Sequence, residues 1–236
     1  YKGLSALEES QNRYDQMRKT IEYLNQMPVA QLMVEDIEAD DVIAYICQMP
    51  SLKEDVKIIV SMDKDFYQLC DDKTMIYSPV KDEFLNKKRI IEKFSIHPNN
   101  FSLARAIDGD KSDNLDGIKG AGMKTVANKF SFLAEEKSYT LDDLFTHCRQ
   151  DETGLKLYKN ILAEKKKVVL NYKLMQLYSP YISTQSSQHI KTTVEKFEPS
   201  FNHTEVLKMM MVDGIQEFNW NTLFQKFRSI VDEARH

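Results

Sequence analysis

The chain has 236 residues, 42% hydrophobic and 29% charged, with 7 Gly, 6 Pro and a formal net charge of −4. This is ordinary globular composition, long enough for one large domain or two small ones with a core. Three widely spaced cysteines (Cys47, Cys70, Cys148) and scattered histidines argue against a disulfide framework or a zinc knuckle. No apolar run approaches the ~20 residues of a membrane span, and residues 1–3 show no signal-peptide pattern, so a reduced, cytoplasmic, monomeric protein is expected. The acidic balance is weak evidence against a nucleic-acid partner, because carboxylates gathered on metal ions mask basic surface elsewhere.

In chain order, Ser10 to Gln26 reads as a helix, with Tyr14, Met17, Ile21 and Leu24 at helical spacing. Residues 29–34 are apolar enough for a strand. Ala39 to Gln48 predicts a second helix, opened by Asp40 and Asp41, which suit a helix N-terminus. Lys57 to Ser61 is the β-branched run of a buried parallel strand, followed by a helical turn over Asp65 to Cys70 and a strand over Thr74 to Ser78. This alternation predicts a parallel sheet with right-handed crossovers. A turn at Pro98-Asn99-Asn100 marks the change to a helical region that a glycine-rich stretch, Gly109 to Gly122, interrupts. Ser179 to Ser187 reads as a connector and Phe201 to Ala234 as helix again. Lys87-Lys88-Arg89 and Lys165-Lys166-Lys167 read as solvated helix faces, the second with the alternative of supporting duplex DNA. Met209-Met210-Met211 and Trp220 read as packing, with a protein-partner surface as the alternative.

Three acidic segments carry the chemistry: Val34-Glu35-Asp36-Ile37-Glu38-Ala39-Asp40-Asp41, then Ser61-Met62-Asp63-Lys64-Asp65 directly after the best strand, then Asp108-Gly109-Asp110-Lys111-Ser112-Asp113. Oxygen donors in such numbers suit Mg²⁺ or Mn²⁺ rather than zinc. In an open parallel sheet, sites form beyond the carboxyl ends of strands, where Asp63 and Asp65 fall. Two ions held there can clamp the attacking and leaving oxygens of a phosphoryl displacement, with no protein nucleophile. Each segment alone also reads blandly, as a helix cap, a turn or a solvated loop. Their coincidence and order favour the site.

Gly117-Ile118-Lys119-Gly120-Ala121-Gly122-Met123-Lys124-Thr125 forms a glycine hairpin between helices. Glycine permits positive φ and close approach, and the helix beginning near Met123 offers free N–H groups to a phosphate, with Lys124 and Thr125 adding a charge and a hydroxyl. Such a contact reads backbone rather than sequence. An ordinary interhelical turn is the alternative.

Together, Glu38-Ala39-Asp40-Asp41, Ser61 to Leu69 and Gly109 to Thr125 closely resemble three ordered motifs of the 5′-nuclease (flap-endonuclease) family, over about Tyr1 to Leu177. The size and the tail beyond Ser179 resemble a phage ribonuclease H-type 5′-3′ exonuclease. The resemblance implies a PIN-like α/β domain over residues 1–97, a helix–three-turn–helix DNA-binding region over 98–178, and a connector with C-terminal helices over 179–236. It implies metal-site roles for Glu38, Asp40, Asp41, Asp63, Asp65, Asp110 and Asp113, with Asp63 and Asp65 central to catalysis. It also implies phosphate contacts and K⁺ at Gly117, Gly120, Gly122, Lys124 and Thr125, and a scissile-phosphate contact for Lys2. Implied partners are branched, flapped or nicked DNA, RNA–DNA hybrids, and a single-stranded DNA-binding protein.

The sequence departs from the family pattern in places. The first strand and its aspartate, and a second aspartate ahead of Tyr1-Lys2, are not present, so an N-terminally shortened chain is expected. Ser5 stands where an arginine is usual, and Asp116 replaces a common proline. The leading expectation is a structure-selective 5′→3′ exonuclease and flap endonuclease. The alternatives are a junction-binding module that has lost cleavage, which would have no reason to keep the acids, and a PIN-type ribonuclease, which would not need the hairpin.

Overall fold

The computed structural model describes residues 6–215 and 219–235, so Lys2 lies outside the described residues. In chain order the elements are α1 (Ala6–Leu24), α2 (Ala39–Cys47), β1 (Lys57–Val60), β2 (Thr74–Ser78), β3 (Glu83–Leu85), α3 (Lys87–Phe94) and α4 (Phe101–Asp108). They continue with β4 (Gly109–Asp110), β5 (Leu115–Asp116), α5 (Met123–Lys129), α6 (Leu141–Gln150), α7 (Lys156–Ala163) and α8 (Lys165–Met175). The last are α9 (Thr184–Glu195), α10 (His203–Asp213) and α11 (Trp220–Glu233). The chain divides into two compact units, residues 34–187 and residues 1–33 with 188–236.

In the first of these units, β1, β2 and β3 form a sheet in that order. β1 runs parallel to β2, with Ile59 opposite Ile76, as the alternation of strand and helix predicts. β3 is antiparallel to β2, with Leu85 opposite Ile76, so the sheet is mixed rather than purely parallel. The turn from β2 to β3 is closed by Asp82 at φ 49°, whose carboxylate accepts from the Tyr77 hydroxyl at 2.8 Å, while the Tyr77 and Phe84 rings pack tilted across the pair. β1 is an edge strand: Ile59 faces the core, but Ile58 is 51% and Val60 65% exposed, which corrects the expectation of a strand buried on both faces. Residues 29–34 form no strand; an apolar run becomes one only where a neighbouring edge takes up its backbone hydrogen bonds.

The helical part of the same unit surrounds Phe101, Leu103, Ile107, Val126, Phe130, Leu144, Phe145 and Ile161, all fully or nearly fully buried. Its local logic is readable. Asn86 caps α3 by accepting from Arg89 N–H, and Thr140 and Asp143 form a reciprocal capping box on α6. Asn100 is buried and stitches α4 to the 133–139 segment, donating to the carbonyls of Leu133, Glu135 and Lys137 and accepting from Tyr139 N–H. α4 stops at Gly109, whose φ of 82° is the left-handed conformation that glycine adopts without Cβ strain. The packing of α4, α5 and α8 around the glycine turn is helix-hairpin-helix-like.

In the other unit, Val206, Met210 and Phe224 form a small core with Tyr23, Met27, Phe201, Trp220 and Phe227 packed on it. Asn202 N–H donates to the Gln26 carbonyl at 2.9 Å, and Asp213 binds Lys19 and the Tyr23 hydroxyl, each at 3.0 Å. Trp220 and Met210 therefore pack as expected, whereas Met211 is 78% exposed. No described helix is long and apolar enough to cross a membrane.

Candidate metal centre

β1 ends at Val60, and the chain turns through Asp63 into a short 3-10 helix over Asp65–Leu69. The turn is self-supporting: Asp63 N–H donates to Ser61 Oγ at 3.0 Å, and Asp65 N–H donates to Asp63 Oδ1 at 2.8 Å. Gln68 anchors it from behind. Its buried amide donates to the carbonyls of Asp65 and Met175, both at 2.8 Å, and accepts from Leu177 N–H at 2.8 Å. The end of α8 is thereby tied to the turn carrying Asp65.

The third acidic segment arrives by a different route. After α4, β4 and β5 pair as a two-residue antiparallel hairpin, Gly109 opposite Asp116 and Asp110 opposite Leu115, with residues 111–114 as its loop. Asp110 accepts from Ser112 N–H at 2.8 Å and from its hydroxyl. The result is that carboxylate oxygens of Asp65, Asp110 and Asp113 all lie within 4.8 Å of one another. Asp110 and Asp113 border a cleft of about 500 Å³ shared with Asp63, Lys64, Arg105 and Asp108. All donors are oxygens, so the chemistry of the residues present fits a hard divalent cation.

One cation already stands among these acids. Arg105, on α4, donates Nε–H to Asp65 Oδ1 at 3.0 Å, Nη1–H to the Gly109 carbonyl at 3.0 Å and Nη2–H to Asp110. Its Nη1 also lies 3.7 Å from Asp108 Oδ2. Burial pushes the Asp65 carboxyl above its ordinary range, against the attraction of Arg105. For Asp110 burial acts in the same sense, but the bonds from Ser112 and Arg105 outweigh it and hold the group low. Asp108 is raised by burial, opposed by Arg105, Lys64 and a hydrogen bond from Met123 N–H, the first residue of α5. Arg105 was not among the residues expected from sequence. The signal available was the one charged residue in a mostly apolar helical segment, Phe101 to Ile107, five residues before Asp110.

Glu38, Asp40 and Asp41 stand at the start of α2, where Glu38 is the N-cap residue and makes no side-chain capping bond. Burial, then repulsion by Asp40 and Glu38, raises Asp41. None of these three is among the described carboxylates that converge within 4.8 Å. In the glycine hairpin, Gly117 approaches the end of α4 so closely that a Cβ would fall 1.9 Å from the Asp108 carbonyl oxygen. Gly120 has a φ of 81° with open space around it, and Lys124 is exposed on α5 with Thr125 half-buried.

The sequence model of the family described as "5′-3′ exonuclease, N-terminal resolvase-like domain" matches residues 8–95. A 5′-3′ exonuclease of Aquifex aeolicus is 32% identical over 154 residues, 65% of this chain and 50% of the relative. Thermostable DNA polymerase I of Thermus aquaticus is 36% identical over 105 residues, 44% of this chain and 12% of that protein. The chain thus spans about half the length of the exonuclease it matches. Among solved structures, phage T5 5′-exonuclease with bound divalent metal ions (zinc) superposes with a TM-score of 0.61 at 19% identity, covering 88% of this chain and 73% of that one. Residues 8–95 thus match the exonuclease N-terminal domain family, and the chain is similar in sequence to a 5′-3′ exonuclease and to DNA polymerase I and in fold to phage T5 5′-exonuclease.

Proposed function

We propose that the chain is the nuclease portion of a divalent-metal-dependent, structure-selective 5′→3′ exonuclease and flap endonuclease, acting on flapped or nicked DNA and on RNA–DNA hybrids. The observation that carries this reading is the convergence of Asp65, Asp110 and Asp113 beside a strand end and next to the glycine hairpin. The sheet then belongs to a PIN-like domain over residues 1–97 and the hairpin to a DNA-binding region over 98–178. Asp65, Asp110 and Asp113 would hold one Mg²⁺ or Mn²⁺, with Asp63 facing the same cleft. Glu38, Asp40 and Asp41 would serve a further ion, and K⁺ would sit at the hairpin. Such ions, when bound, supply a nucleophilic hydroxide at neutral pH and neutralise charge on the scissile phosphate.

What the protein's own groups do follows from their placement. Ser61 and Asp63 hold the turn that presents Asp65, and Ser112 fixes Asp110. Lys124 and the backbone around Gly120 contact duplex phosphates, which orients the substrate without reading its sequence. Lys2 would contact the scissile phosphate. The protein acts as a monomer in the cytoplasm and meets a single-stranded DNA-binding protein during replication or repair.

The test is cleavage of a 5′-flapped duplex by the full-length protein in Mg²⁺, with and without EDTA, alongside Asp65→Asn. Cleavage should vanish in EDTA and in the variant, while flap binding in Ca²⁺ stays within a few-fold. Asp36→Asn, outside the cluster, should cleave normally. Undiminished cleavage by Asp65→Asn would refute the assignment.

A further inference from the structure

Arg105 is only 5% exposed, and three edges of its guanidinium face the acidic cluster. Nε–H goes to Asp65, Nη2–H to Asp110, and Nη1–H to the Gly109 carbonyl with Asp108 alongside. Two of the three carboxylates that lie within metal-ligating reach of one another therefore already share a positive charge. A guanidinium stripped of water persists only where it is paired, and converging carboxylates need a countercharge for the same reason. Its planar fork lets one side chain span two carboxylates, which a lysine ammonium, acting as a point charge, does not do.

We propose that Arg105 is the built-in counter-cation of this cluster: it holds Asp65 and Asp110 together while no divalent ion is bound, and competes with such an ion for their charge. The inference rests on the metal-site reading above. It has two measurable consequences. Removing the charge should tighten metal binding, because a unit positive charge ~6 Å from a divalent ion weakens its binding roughly tenfold even at the dielectric of water. It should also destabilise the metal-free chain, and a bound ion should repair that defect by taking the arginine's place.

The experiment compares the full chain with Arg105→Gln, which keeps amide donors without the charge, and with Arg105→Lys. Mn²⁺ binding is read by calorimetry, and melting is followed in EDTA and in saturating Mn²⁺. Arg105→Gln should bind Mn²⁺ roughly tenfold more tightly than the parent, and Arg105→Lys within about threefold of it. The glutamine variant should melt below the parent in EDTA, and Mn²⁺ should close most of the gap. This rescue remains readable even if the variant is largely unfolded without metal. A gap of equal size with and without Mn²⁺, or binding no tighter than the parent's, makes Arg105 a packing residue and overturns the inference. A parent chain with no Mn²⁺ response removes the metal-site reading itself, and the inference with it.

Discussion

Replacing Gly117 by alanine puts a methyl group into space that the backbone already occupies. The added carbon would lie 1.9 Å from the Asp108 carbonyl oxygen, 2.4 Å from its carbonyl carbon and 2.9 Å from the Ile107 oxygen. All three are main-chain atoms at the end of α4, so no rotamer change relieves the clash. Carbon–oxygen contacts sit at ~3.3 Å, so the two backbones must part by about 1.4 Å. That movement breaks the bond from Ile118 N–H to the Ile107 carbonyl, 2.8 Å. It also strips one partner from Asn171, whose buried amide donates to the carbonyls of Ala106 at 3.1 Å and Asp116 at 3.0 Å. Two hydrogen bonds at ~1 kcal/mol each put the cost at about 2 kcal/mol, or a fall in Tm of roughly 4–8 °C for a chain of this size. Gly120→Ala is the internal comparison. Its φ of 81° penalises alanine by about 1–2 kcal/mol, but nothing lies within 4 Å, so the loss should be smaller. Thermal melts followed by circular dichroism measure both. A Gly117→Ala protein melting with the parent, or Gly120→Ala proving the more damaging, would refute the close-approach reasoning.

Two further outcomes are expected. His97 is buried, and its Nδ1 accepts from Asn99 N–H at 3.2 Å; burial holds its pKa below the ordinary 6.5, against the pull of Glu136. Because the unfolded chain then binds the proton more readily, its contribution to stability is complete above pH 6.5 and is lost as pH falls from there toward the lowered folded value. Urea midpoints measured across that window should fall more for the parent than for His97→Asn, which can cap the same turn without titrating; equal falls would show that His97 is not the group responsible. Lys124→Ala should make the slope of log affinity against log salt for a flapped duplex shallower by about 0.9, the loss of one phosphate contact. An unchanged slope in Ca²⁺-containing titrations would mean that this lysine faces solvent only.

The parts legible from sequence were those with a local cause. The Ile58-Ile59-Val60 run became β1, the Asp-rich start of Ala39 to Gln48 became α2, and the glycines at 109 and 117 marked the turns where a side chain is strained or does not fit. What depended on partners distant in sequence was not legible. β3 has three residues, and only pairing with Ile76, Tyr77 and Ser78 makes it a strand. Residues 29–34 have the apolarity of a strand without a partner. Arg105 reads as one charge on a short helix until the fold brings Asp65, forty residues earlier, against it.

The buried amide of Gln68 has a practical corollary for anyone shortening or recombining this chain. Its three bonds run to the carbonyls of Asp65 and Met175 and to Leu177 N–H, so the turn presenting a candidate ligand is clamped by main chain more than a hundred positions downstream. A cut made before Leu177 would unclip that turn even though every candidate metal ligand survived, whereas a junction after Ser187 leaves the clip whole. Grafting the acidic segments onto another scaffold would likewise transplant the ligands without their fastening. The smallest transferable piece of this architecture is therefore defined by where a glutamine side chain reaches, not by where the acidic motifs stop.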